Sequence, residues 1–142
     1  MFGIYIIVMT YLLFFSESYG RSYHADSLYR YNLVPLLEIR RFWEYREQLG
    51  FGAFLTNILG NVLCFFPYGF IIPIVLEKTY NGFMIILSGF GVSLCVETIQ
   101  LITKVGCFDV DDIILNTIGV VIGYFSFVIC NYLRRKYYGK KI

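Results

Sequence analysis

The chain has 142 residues, of which 58% are hydrophobic and only 15% charged, and its mean hydropathy is +0.65. A soluble domain carries about 25% charge, so the composition excludes an ordinary soluble enzyme and points to one small integral membrane domain over residues 1–142. The net charge of +2 is too small to argue for a nucleic-acid partner, and the expected partner is the lipid bilayer. Cys64, Cys95, Cys107 and Cys130 are widely spaced with no Cys/His pairing, which suits small packing residues better than zinc or a disulfide framework.

The first apolar run, residues 2–16, spans roughly 22 Å as a helix against a hydrocarbon core of roughly 30 Å. No Lys or Arg precedes it, and Ser16–Gly20 makes a poor cleavage site, so a membrane helix over about 2–19 is expected rather than a signal peptide. Residues 20–52 are the only long polar region. There Asn32 is expected to cap a helix with Pro35 in its early turn. Leu36, Ile39 and Trp43 follow helical spacing among charged residues, which predicts an amphipathic helix over about 36–49 lying on the membrane surface. Three further spans follow at about 54–76, 83–102 and 112–133. Pro67 and Pro73 fall in the first of these and predict a kink. The fold class is therefore all-α: a four-helix transmembrane bundle with an amphipathic interfacial helix in its first long loop.

Orientation rests on the basic residues. One side carries Lys78, Arg134, Arg135, Lys136, Lys140 and Lys141, and the other carries Arg21, Arg30, Arg40, Arg41, Arg46 and Lys104. The count is a tie, but Arg134–Lys136 abut the last span, so both termini are expected in the cytoplasm. The long loop and the Asp-rich connector then face outward.

The polar residues inside the spans are organised. Connectivity places Asn57, Asn61, Glu97, Gln100, Asp112 and Asn116 at one membrane face. Asn57, Asn61, Cys64 and Tyr68 share a helical face, as do Gly89, Ser93, Glu97, Gln100 and Lys104, and likewise Asp109, Asp112, Asn116, Gly119 and Gly123. Each face also holds small residues that let membrane helices approach closely. The three faces are expected to meet around a pocket open to one surface. A carboxylate such as Glu97 inside a span needs a partner, water or a proton. Asp109, Asp111 and Asp112 either gain from the helix dipole or hold a divalent cation through carboxylate oxygens. The candidate pocket residues are Asn57, Asn61, Glu97, Gln100, Asp109, Asp111, Asp112 and Asn116.

Four pieces in order resemble the VanZ-like family of bacterial multipass membrane proteins, named for a teicoplanin-resistance determinant. They are Arg30-x-Asn32-Leu33-x-Pro35; Asn57-x-x-Gly60-Asn61-x-x-x-Phe65-x-Pro67-x-Gly69-Phe70; Ser88 with Glu97-x-x-Gln100; and Gly106-x-Phe108-Asp109-x-Asp111-Asp112-x-x-x-Asn116-Thr117-x-Gly119 with Gly123-Tyr124. The family usually has Arg where this chain has Cys107, and an aromatic where it has Leu36. If that Arg pairs with the acids, Arg30 or Arg40 is the candidate substitute. The resemblance implies a membrane address in the cell envelope and a resistance context, but no reaction.

The function expected is to lower susceptibility to teicoplanin-type glycopeptides through the outward pocket, by binding a lipid-linked envelope precursor or a lipoglycopeptide. No cofactor is expected, and a homo-oligomer is compatible with the small size. The alternative is a membrane enzyme acting on a lipid-linked head group, with Glu97 as acid/base and a carboxylate-bound divalent cation. Against it stand the lack of any His in the candidate pocket and of a nucleophile or phosphate-loop motif.

Overall fold

The computed structural model describes residues 3, 5, 7, 9–11, 31–44, 51–76, 81–104 and 106–139. In chain order they form β1 (Tyr31–Asn32), α1 (Leu37–Glu44), α2 (Phe51–Val75), α3 (Gly82–Thr103), β2 (Phe108–Asp109) and α4 (Val110–Tyr138). Within these, Asn57–Val75, Gly82–Thr103 and Val110–Tyr137 are long and apolar enough to cross a membrane. They coincide with the second, third and fourth expected spans. The described residues of the first run (Gly3, Tyr5, Ile7, Met9, Thr10 and Tyr11) are also helical. Tyr5 donates its hydroxyl to the Cys64 carbonyl at 2.9 Å, and Met9, one turn on, joins the buried core. The rest of the expected 2–19 span lies outside the described residues.

Helix ends follow their local chemistry. Asn81 caps α3 by accepting the Met84 N–H at 2.9 Å, and Lys104 closes it in the left-handed region at φ 57. Asp109 caps α4 by accepting the Asp111 N–H at 2.8 Å. This helix runs past the expected end at residue 133, through Arg135 and Lys136, which suit the negative end of its dipole. Gly139 stops it at φ 65. α2 remains one helix through Pro67 and Pro73, although each proline withholds the N–H that would bond the carbonyl one turn back.

The α2–α4 pair forms the centre of the bundle, and glycine sets its spacing. A Cβ on Gly119 would lie 2.3 Å from the Val62 carbonyl oxygen, one on Gly123 2.1 Å from that of Phe66, and one on Gly69 2.1 Å from that of Val120. The two backbones are thus in contact, as the G-x-x-x-G spacing predicts. Gly89 admits the Val120 side chain and so seats α3 on α4. Phe65, Val120 and Ile85 fill the core between these contacts, and Phe70 meets the edge of Phe127 at 6.3 Å.

The long loop departs from expectation. Asn32 does not cap a helix: it lies in β1, which pairs in parallel with β2 through Tyr31 opposite Phe108 and Asn32 opposite Asp109. Its Oδ1 accepts the Val34 N–H at 3.1 Å, a local turn bond that competes with capping. Leu36 sits at φ 64, outside the helix, and α1 begins one residue later. Of the expected 36–49 helix, Leu37–Glu44 is helical and 45–49 lies outside the described residues.

A carboxylate junction at one membrane face

The antiparallel packing of α3 on α4 puts Glu97 beside the start of α4, and the connector from Lys104 folds back to deliver Asp109 there. The Glu97 side chain is 2% exposed, and its Oε2 accepts the Asp109 N–H at 3.0 Å. That N–H is one of the donors left unpaired at a helix N-terminus, where a negative charge is favourable.

The three Asp expected to act together instead reach three different elements. Asp109 holds β1, accepting the Asn32 amide at 3.0 Å. Asp111, 1% exposed, caps α1 from outside its own chain segment by accepting the N–H groups of Leu36 and, at 3.3 Å, of Ile39. Asp112 turns to α2 and accepts the Asn61 amide at 2.6 Å. Successive positions on a helix point about 100° apart, so neighbouring carboxylates diverge. Among the described residues no three His, Cys, Asp or Glu side chains are grouped to hold a metal ion, so of the two alternatives for Asp109, Asp111 and Asp112 the geometry favours bonding at the helix start over a shared cation.

One turn deeper, the Asn116 amide donates to Ser93 Oγ at 2.9 Å. Asn116 is fully buried, and its Oδ1 has no hydrogen-bond partner among the described residues. Gln100 is buried too; its side chain lies against Gly106, and its backbone carbonyl accepts the Gly106 N–H at 3.4 Å. Asn57 is the outlier: half-buried at the same face, it makes no side-chain hydrogen bond among the described residues. Of the eight sequence candidates, Glu97, Asp109, Asp111 and the Asp112–Asn61 pair meet at the start of α4, while Asn116 bonds Ser93 and Gln100 packs on Gly106.

Burial pushes the Asp109 carboxyl above the ordinary carboxylate range, and the Asp111 charge adds to the rise. The Asp111 N–H, the Asn32 amide and the positive charge of Arg41 pull it back. Arg41 is thus a cation that acts on Asp109, the weakest of these influences. Of the two substitutes considered for the Arg missing at Cys107, Arg40 is engaged with Glu44 at 2.8 Å in an exposed pair, and Arg30 lies outside the described residues. Sequence reasoning missed Arg41 and the role of Asn32. A signal for the second lay in Asn32 belonging to the first family-like piece, but nothing local pointed to Arg41 over Arg40.

The chain is 26% identical over 129 residues to Protein VanZ of Enterococcus faecium, which covers 85% of this chain and 67% of that protein. No solved structure matches. The model of the VanZ/LLP1 family matches residues 2–131, a stretch that takes in the first apolar run, the β1–α1 segment and every residue of the carboxylate junction, and the chain belongs to that family.

Proposed function

We propose that this protein is a multipass protein of the bacterial cell membrane that lowers susceptibility to teicoplanin-type glycopeptides through the polar cluster at its outer face. Residues 2–19 supply the fourth span, both termini are cytoplasmic, and α1 lies in the membrane interface across the cluster. The observation that carries this reading is the convergence of α2, α3, α4 and the β1–α1 segment on Glu97, Asp109, Asp111 and Asp112. A merely structural polar contact would need two helices, whereas here one buried junction fixes a surface segment over the ends of three spans. The exposed side chains of Leu33, Val34, Leu36, Leu37 and Trp43 suit α1 and its approach to an interfacial position, where Trp is favoured. The ligand class that fits such a site is amphiphilic: a lipid-linked envelope precursor, or a glycopeptide bearing a lipid tail.

Asn57→Cys, in a background with the four native Cys replaced, tests this placement, because the Asn57 side chain makes no hydrogen bond among the described residues. A membrane-impermeant thiol reagent applied to intact cells labels the position, and a teicoplanin-type drug slows the labelling. Labelling that requires permeabilised cells would place the cluster in the cytoplasm and refute the proposal.

A further inference from the structure

We infer that the opposite end of α4 is a binding site for the head group of an anionic lipid, formed by Tyr132, Arg135 and Lys136. α4 has 29 residues and so extends over about 43 Å, more than a hydrocarbon core of about 30 Å requires. Its neighbour stops short. α2 and α4 run parallel, with Val62 against Gly119, Phe66 against Gly123 and Phe70 against Phe127. At the same offset the last residue of α2, Val75, comes level with Tyr132. α4 continues past that level through Arg135 and Lys136 before Gly139 ends it.

An open surface groove of about 540 Å³ is bordered by Tyr132, Arg135 and Lys136. All three side chains are exposed, and none makes a hydrogen bond or ion pair within the described residues. One guanidinium and one ammonium group with no partner among the described residues, at the level where a span leaves the hydrocarbon, match a phosphodiester in charge and depth. The Tyr132 ring sits where aromatic residues favour the lipid interface. The carboxyl end of a helix repels anions, so the attraction comes from the side chains, and a lipid reaches them from the side of the helix. This site is at the membrane face opposite the carboxylate junction, and its occupancy is independent of the glycopeptide reading.

The test uses the purified full chain in a nonionic detergent, with phosphatidylglycerol or phosphatidylcholine added, binding read by native mass spectrometry and unfolding by the thermal midpoint. Phosphatidylglycerol binds and raises the midpoint, and phosphatidylcholine does so much less. Each interfacial cation strengthens attraction to an anionic surface about fivefold, so the Arg135→Ala/Lys136→Ala double variant weakens phosphatidylglycerol binding by about 25-fold. The Lys140→Ala/Lys141→Ala double variant, which removes the same charge from the following tail, keeps most of the binding. Equal loss in both double variants would reduce the effect to diffuse charge and overturn the inference. Equal binding of the two lipids would overturn it as well.

Discussion

Replacing Asp111 with Asn tests whether one carboxylate holds the surface helix in place. The native carboxylate is almost fully buried and accepts both the Leu36 and Ile39 N–H groups at the start of α1. An Asn side chain offers one acceptor oxygen and turns an NH2 group toward the other donor. One charge-assisted bond is lost and a second weakened, and bonds to a charged group contribute about 1.5–3 kcal/mol each. A net loss of about 2 kcal/mol raises the population of the detached α1 about 30-fold. Trypsin reads this directly, because Arg40 and Arg41 lie within α1 and are cut when the helix opens. Cleavage after these two residues, quantified by mass spectrometry under conditions where reclosing is fast, rises by about that factor in Asp111→Asn. Asp112→Asn, which takes the charge off the acceptor of the Asn61 amide on α2, leaves it near the parent rate. Equal cleavage in Asp111→Asn and the parent would refute the idea that Asp111 ties down α1.

Gly123→Ala places a methyl group against the Phe66 carbonyl and forces α2 and α4 apart. A loss of about 1–3 kcal/mol is expected, seen as a lower thermal midpoint in detergent, while Gly60→Ala, which meets open space, leaves the midpoint unchanged or slightly raised. Asp109 carries a pH signature. Its folded pKa is raised above the ordinary 3.8, so the folded state binds the proton more tightly, and this group's contribution to stability falls as pH rises from that value through the raised one. The midpoint of Asp109→Asn, which keeps an acceptor for the Asp111 N–H, therefore declines less than the parent's across that window; parallel curves would contradict the assignment. Arg41→Gln removes a cation acting on Asp109 and moves the Asp109 transition further upward, whereas Arg40→Gln breaks only an exposed pair and leaves that transition in place.

The three long spans were legible because each is a continuous apolar run bounded by polar connectors, a signal that needs no tertiary information. The shared polar faces were legible too, since spacings of three and four residues fix a helical face before any packing is known. What the sequence hid is non-local. The β1–β2 pairing joins two-residue segments, and its Asn32–Asp109 bond crosses 77 positions, so neither segment shows periodicity. Leu36 at positive φ carries no glycine-like signal. The divergence of Asp109, Asp111 and Asp112 was hidden because adjacency in sequence reads as cooperation, while the start of a helix turns neighbouring side chains to different elements.

The measurement that bears most directly on the central claim is the glycopeptide susceptibility of cells producing the parent or Glu97→Gln at equal protein level, with Asn116→Ala alongside. Gln keeps an acceptor for the Asp109 N–H but replaces the Glu97 carboxyl group with a neutral amide. Parent cells are expected to show reduced susceptibility to a teicoplanin-type drug, and both variants to lose most of that protection. Full protection in both variants would contradict the account, leaving the junction a device that only holds the helices together.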